Sequence, residues 1–455
     1  MNERQYKDSG VGWIGNIPQN WNVMKLLFQL RSPITDGPHE TPKLVEESCG
    51  IPFISVDSLN DTKKVDLSIV KKYISIEDYN EYKKKAFLEK GDVLFTKAAT
   101  IGKTAIVDEP TKYMIWSPIA ILKPKKGCFN EYLYYILNCK EAIQYTRDII
   151  GHETTQVNVG MRDLEKLQVP IAPFDEQIDI VEYLDSKTAS IDSAIQAQKD
   201  IVEKLKEYKQ AVITEAVTKG LDRDVEMKDS GIEWIGMVPS NWYTMRIKDV
   251  IVRSKDGIKI GPFGSALTGK TVSNGNYYVY SQCNLINDDF SDTKNKITDD
   301  TFNMLKAYEV LPNDICLSMM GTIGKCKTVP SNIKRGIMDS HLIKIRLNER
   351  MIDKYFEYVY DKDYSGLCYK QMQFDKTGSI MDGLNTTIIK NLYLPVPPLE
   401  EQQQIAEYLD SKTATIDKAI EQKNAIIEKL EEYKKSIIYN AVTGKIDCRK
   451  DVTPE

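Results

Sequence analysis

A chain of 455 residues with 42% hydrophobic and 28% charged side chains is long enough for two to four globular domains of about 100–200 residues each, which excludes a disordered or fibrous chain. No apolar run approaches the roughly 20 residues that span a bilayer, and the opening MNERQYKDSG lacks the apolar stretch of a signal peptide, so a cytoplasmic protein without membrane association is expected. Eight cysteines without a C-x-x-C pair and only three histidines signal neither a disulfide framework nor a zinc cluster, while the net charge of −5 counts at face value against nucleic acid, whose phosphates need Lys and Arg.

The first element is a Trp-rich lead motif, Lys7 to Trp21, reading KDSGVGWIGNIPQNW. A mixed block follows to residue 174. Short β-rich runs (Ile51–Val56, Val93–Thr96) alternate there with Gly/Asn/Asp turns and with a helical stretch, Asn130–Leu137, predicting an α+β domain. Past Pro170 and Pro173, the acidic first-turn residues Asp175 and Glu176, with Gln177, start a helix. Its 3,4-spaced stripe runs through Val181, Leu184, Thr188, Ile191, Ile195, Gln198, Val202, Leu205, Lys209, Val212 and Ala216 to a stop at Gly220. That helix is roughly 65 Å long at 1.5 Å per residue, too long to bury inside one small domain.

The sequence then starts again. Lys228 to Trp242, KDSGIEWIGMVPSNW, matches the first lead motif in ten of fifteen positions, and four of the five tryptophans lie in the two copies. A second α+β block occupies 223–399 and contains the run Tyr277–Tyr280. The last helix repeats the first: EYLDSKTATID at 407–417 matches EYLDSKTASID at 182–192 in ten of eleven positions, in the same register, with a stop at Gly444. The chain is therefore a tandem repeat with four segments: a block at 1–174, a helix and linker at 175–222, a block at 223–399, and a helix and tail at 400–455. Two like units close most simply around a pseudo-twofold axis, which makes the two helical stripes partners in an antiparallel coiled coil between the blocks.

The lead motifs K-D-S-G-x-x-W-I-G-x-x-P-x-x-W, the P-x-x-P-x-x-E-Q start of each long helix, its L-x-x-Y-K end, and the G-D-V-L…T-I-G-K pattern resemble the specificity subunit of type I restriction-modification enzymes, over the whole chain and twice over. The resemblance implies that each block is a target recognition domain reading one half of a split, asymmetric site in double-stranded DNA, with the helices as spacer. It implies partnership with two methyltransferase (modification) subunits and two ATP-driven restriction subunits. S-adenosylmethionine, ATP and Mg are then expected on those partners, with no cofactor, metal or catalytic residue in this chain. A coiled-coil scaffold binding proteins instead of DNA is the competing reading.

Gly264–Thr271 matches the phosphate-loop pattern G-x-x-x-x-G-K-[ST], but no buried strand precedes it and a turn signal follows, so nucleotide binding is not expected. Neither an N-P-P-F/Y tetrapeptide nor a G-x-G-x-x-G fingerprint of a methyltransferase is present.

The same stretch fits a DNA-contacting loop better, with Lys259, Phe263, Ser265 and Lys270 around glycines that permit close approach to phosphate. Its counterpart in the first block is Thr35–Thr41, where Asp36, Gly37, His39 and Thr41 are candidates to meet base edges; Asp36 has a turn-fixing role as its alternative. Lys97 is a further candidate. Thr100 and Lys103, with Thr322 and Lys325, occur in both blocks and suit phosphate contacts that set register, or else plain hairpin tips. Asp92 and Asp314 read as turn residues. Gln156, Asn158, Gln371, Gln373 and Asn385 carry amides able to pair with adenine. The tryptophans of the lead motifs read as a brace between block and helix end.

Segment by segment, the net charge is +1 over 1–174, −5 over 175–222, +2 over 223–399 and −3 over 400–455. The acidity belongs to the helices. The blocks are nearly neutral, so DNA affinity has to come from local basic faces such as Lys83–Lys85, Lys123 to Lys126 and Lys334–Arg335.

Overall fold

The structure is a computed structural model that describes residues 4–59, 62–108, 112–150, 158–291, 293–374 and 384–449. It divides into two units: Met1–Gln198 with Ala425–Glu455, and Lys199–Asn424.

In unit 1 the lead motif forms a hairpin, β1 (Tyr6–Asp8) with β2 (Asn16–Pro18), and runs on into β3 (Asn22–Lys25). Then come β4 (Thr35–Asp36), β5 (Ile51–Ile54), β6 (Tyr73–Ile74), α1 (Ile76–Tyr82), β7 (Val93–Thr96), β8 (Thr104–Ile106), β9 (Met114–Ile115), β10 (Ile119–Leu122), α2 (Asn130–Leu137), α3 (Lys140–Ile150), α4 (Met161–Glu165), β11 (Gln168–Ile171) and α5 (Phe174–Lys219). A four-stranded antiparallel sheet has the order β4-β10-β7-β8, a three-stranded sheet has the order β6-β5-β9, and β3 pairs with β11. All four side chains of β7 and of β10 are buried. This suits strands covered on both faces, by α2 and the core around Trp13 and Trp21 on one side and by the three-stranded sheet's cluster on the other.

Unit 2 repeats the plan strand for strand. Its lead hairpin is β12 (Met227–Asp229) with β13 (Met237–Pro239), followed by β14 (Tyr243–Arg246), α6 (Ile247–Val250), β15 (Ile258–Ile260), α7 (Gly264–Leu267), β16 (Tyr277–Tyr280), α8 (Gln282–Ile286), β17 (Lys296–Ile297) and α9 (Asp299–Met304). The remainder is β18 (Ile315–Ser318), β19 (Cys326–Thr328), β20 (Gly336–Met338), β21 (Leu342–Ile345), α10 (Asp353–Tyr360), α11 (Leu367–Phe374), α12 (Thr386–Asn391), β22 (Tyr393–Val396) and α13 (Leu399–Val442). The orders β15-β21-β18-β19 and β17-β16-β20 match unit 1 position by position. The duplication therefore extends through the middle of each block, where the sequence shows only two short matches.

Both long helices are continuous, and both end at a glycine in the left-handed region, Gly220 at φ 75° and Gly444 at φ 73°. Helix packing is antiparallel within each unit. In unit 1, Tyr132 donates to the carbonyls of Pro170 and Val442, which fixes the end of α13 beside the start of α5, while Lys434 Nζ lies 2.6 Å from Asp192. In unit 2, Tyr355 makes the same bridge to Pro395 and Val217, and Lys209 Nζ lies 2.7 Å from Asp417. The stripe residues Ile191 and Ile195 join the core of unit 1 with Ile427, Leu430 and Ile437. Thr188 and Thr413 sit in that stripe because each hydroxyl bonds the carbonyl one turn back, at 2.7 Å.

The second tryptophan of each lead motif braces block to helix. Trp21 and Trp242 are fully buried, and their indole N–H groups donate to Glu176 and to Glu401, the latter at 2.9 Å. The neighbouring Gln177 and Gln402 accept from the backbone N–H of Phe129 and Ile352 and donate to Ala172 and Pro397. The E-Q pair of the sequence motif, still in the first turn of each helix, is thus a clamp whose glutamines are buried. Six of the eight thiols are buried, with Cys49 and Cys283 exposed. Burial pushes the Cys128 thiol up to about 11 and the Cys316 thiol up to about 12. Among the described residues no helix is long and apolar enough to cross a membrane.

Candidate nucleic-acid interface

The strand registers align the two blocks residue by residue. Asp36 pairs with Ala120, and Ile260 pairs with Ile343; Thr96 pairs with Ile119, and Ser318 with Leu342. Asp36 and Ile260 therefore occupy one position, and Lys97 and Met319 another. It follows that Gly37-Pro38-His39 and Gly261-Pro262-Phe263 are one and the same turn. Each glycine is forced by its neighbours: a Cβ on Gly37 would lie 2.1 Å from the Ile115 carbonyl oxygen, and one on Gly261 would lie 1.7 Å from that of Asp339. Both turns press onto the loop that follows β9 or β20.

That contact projects the next side chain outward. His39 has a side chain 74% exposed, and Phe263 is 84% exposed. In unit 1 the floor is ionic. Asp36 Oδ2, nearly buried, lies 3.0 Å from Lys97 Nζ and 3.1 Å from His39 Nε2, without a regularly aligned hydrogen bond. Asn158, exposed, precedes Val159, whose N–H donates to the Lys97 carbonyl at 2.8 Å, which brings the backbone at Asn158 near this cluster. Thr41 is exposed on the same loop. In unit 2 Lys259 donates to the Ala307 carbonyl at 3.2 Å, and Lys270 lies 3.7 Å from the Met304 sulfur. The Gly-Lys-Thr of the phosphate-loop pattern opens no helix: a turn at Lys270 runs into an isolated bridge at Val272. Gln156 lies outside the described residues, as does the side chain of Ser265.

The shared T-I-G-K segments are the β7–β8 and β18–β19 hairpin tips. Thr96 and Ser318 pin them, each hydroxyl donating to the carbonyl of Thr100 or Thr322 and accepting from the N–H of Lys103 at 2.9 Å or Lys325 at 3.2 Å. A Cβ on Gly102 would lie 2.5 Å from Ile143, so the glycine serves close packing on α3. Both lysines are engaged within their own unit: Lys103 Nζ donates to the Leu59 carbonyl at 2.8 Å, and Lys325 Nζ pairs with Asp363. Thr100 remains exposed, and the Thr322 hydroxyl is buried without a partner.

One residue of the first tip is strained. Ala99 sits at φ 61°, whereas its counterpart Gly321 sits at φ 69°. The left-handed region costs a side chain about 1–2 kcal/mol, and glycine's extra chain entropy returns part of that. Ala99→Gly should therefore stabilise unit 1 by about 0.5–1 kcal/mol, seen as a higher urea midpoint with an unchanged slope.

Two expected base readers are scaffold. Gln371 is 1% exposed, with its amide nitrogen donating to the Tyr393 carbonyl and its oxygen accepting from the Tyr393 N–H, both at 2.7 Å, so it has no free group for a base. Asn385 caps α12, accepting from the N–H of Thr387 and Ile388 at 3.0 Å. Gln373, near the end of α11, is exposed. Asp92 and Asp314 are turn residues, accepting from the N–H of Glu89 and Leu311, and each is clamped by a cation of the adjacent strand end, Lys123 at 2.7 Å and Arg346 at 2.8 Å. Burial holds the Asp92 carboxyl above its usual range despite Lys123.

His341 carries no motif that marks it in the sequence. It lies on the loop against which Gly261 packs, half exposed, with Nδ1 3.3 Å from Asp339. The signal was its rarity, since the chain has three histidines and this one lies two residues past Asp339.

Comparison with known proteins matches a family model described as the type I restriction modification DNA specificity domain twice, at residues 19–206 and 239–432. The chain is 25% identical over 451 residues to the putative type I restriction enzyme MjaX specificity subunit of Methanocaldococcus jannaschii, covering 95% of each. It is 24% identical over 306 residues to the type I restriction enzyme EcoBI specificity subunit of Escherichia coli, covering 65% of this chain and 63% of that one. Among solved structures, one described as the structural basis of complex assembly and conformational transition of the type I R-M system contains a chain that matches with a TM-score of 0.68 at 14% identity, covering 94% of this chain and 99% of its own. The HsdS subunit from Thermoanaerobacter tengcongensis matches with a TM-score of 0.50 at 15% identity, over 94% and 98%. With the family domain present in both halves, on a scaffold duplicated strand for strand, the chain belongs to the type I restriction-modification DNA specificity subunits.

Proposed function

We propose that this subunit reads a bipartite, asymmetric DNA site, one half per unit, and directs adenine methylation and restriction by partner subunits without catalysing either step. The observation that carries the reading is the pairing of an identical scaffold with different presented chemistry: the same Gly-Pro turn offers His39 over Asp36 and Lys97 in unit 1, and Phe263 at a site floored by Ile260 and Met319 in unit 2. A repeat kept for symmetry of assembly and varied where it meets its target suits a non-palindromic site. Two modification and two restriction subunits complete the complex, carrying S-adenosylmethionine, ATP and Mg. Because the blocks are nearly neutral, those partners supply much of the phosphate affinity.

The test uses the full chain with an adenine methyltransferase partner on a plasmid library, read by methylation sequencing. A split motif should emerge, and exchanging residues 29–165 for those of a relative should rewrite one half and leave the other intact. Methylation indifferent to the exchange sinks the reading and favours a scaffold that binds protein alone.

A further inference from the structure

Resting on that reading, we propose that the residue after each Gly-Pro turn and the two positions of its floor act as one specificity unit, so that unit 1 reads its base by hydrogen bonding at His39 and unit 2 by apolar contact at Phe263.

The three positions change together within one chain. Unit 1 holds His39, Asp36 and Lys97; unit 2 holds Phe263, Ile260 and Met319 at the same register. Ile260 and Met319 pack against the apolar core of unit 2, whereas Asp36 is a nearly buried carboxylate at ion-pair distance from Lys97. A buried carboxylate is tolerated only beside a cation, so Asp36 and Lys97 come as a pair and are replaced as a pair.

The floor dictates what the tip can present. His39 Nε2 lies 3.1 Å from Asp36 Oδ2 without hydrogen-bond alignment, a contact of charge and dipole that holds the ring over the ionic floor. The ring itself is three-quarters exposed and keeps a hydrogen-bonding nitrogen for a base edge. Such a side chain suits the hydrogen-bonding groups of a base edge in the major groove. Phe263 has no polar atom and is the most exposed of the large apolar side chains described, 84%. Its partner is the thymine methyl group or an opened base step.

The full chain, in complex with its methyltransferase partner, is assayed by methylation sequencing of a plasmid library. His39→Ala should relax discrimination at one position of the half-site read by unit 1 by about 10- to 100-fold, and leave the other half-site untouched. Phe263→Ala should do the same in the other half. Both side chains are exposed, so neither change threatens the fold. The triple variant His39→Phe, Asp36→Ile, Lys97→Met should move that position of the first half-site from a base read by hydrogen bonding to thymine. His39→Ala and Phe263→Ala variants that keep every base preference, or a triple variant that relaxes the position without a shift towards thymine, overturn the proposal. A wild-type complex with no split motif fails the function reading itself, and is seen before any variant is made.

Discussion

Trp242→Ala lowers the stability of unit 2 by about 3–5 kcal/mol, the cost of emptying a fully buried large aromatic site. Trp242 is 0% exposed and packs against the end of α5: a Cβ on Gly220 would lie 3.3 Å from its ring. Its N–H also donates to Glu401 at 2.9 Å, so truncation leaves that carboxylate without its donor at the start of α13. Trp242→Phe separates the two losses, keeping most of the packing and forfeiting the hydrogen bond for about 1–3 kcal/mol. Urea denaturation gives the size of each effect, and limited proteolysis gives its place. Cleavage should appear within 199–424 in the alanine variant first. Equal sensitivity of both units, or a loss below about 1 kcal/mol, would contradict the brace.

Gly261→Ala is expected to abolish most site-specific methylation while leaving the protein folded. The added Cβ would meet the Asp339 carbonyl oxygen at 1.7 Å, a backbone atom that cannot swing aside. Relief requires the turn to lift from the loop after β20, at about 1–3 kcal/mol, and lifting displaces Phe263 from the base proposed above as its partner, a further 1–3 kcal/mol or so. Methylation of the split site should fall about 100-fold, with the melting temperature changed by only a few degrees. Gly12→Ala is the control: nothing lies within 4 Å of its Cβ, and methylation should stay at the wild-type level.

The sequence displays the long helices and lead motifs openly. A 3,4 stripe repeated over more than ten turns cannot arise from a strand, and two 15-residue segments of shared sequence mark the repeat at once. The interior of each block is opaque for an equally physical reason. Strands such as Thr35–Asp36 and Tyr73–Ile74 are two residues long, too short to show alternation, and β7 and β10 are buried on both faces, so they do not alternate at all. Side-chain roles are legible only where local chemistry decides them. Asp92 and Asp314 read correctly as turn residues because the carboxylate bonds a backbone N–H three residues away. Gln371 misleads because its partner, Tyr393, is distant in sequence and reaches it only through the tertiary fold. The tip and its floor fall between these cases. His39 and Asp36 are neighbours and catch the eye together, but Lys97 joins them only once β7 and β4 flank β10.

Unit 1 is assembled from Met1–Gln198 and Ala425–Glu455, whereas unit 2 is the unbroken stretch Lys199–Asn424. A ribosome therefore releases every residue of unit 2 before the first residue of the helix half that completes unit 1. Through that interval the core face of α5 around Ile191 and Ile195 has no Ile427, Leu430 or Ile437 to cover it. A domain that folds as a unit is completed only once its last residues have emerged. The half begun first is thus the half completed last, with an apolar stripe uncovered on the nascent chain until its partner helix emerges.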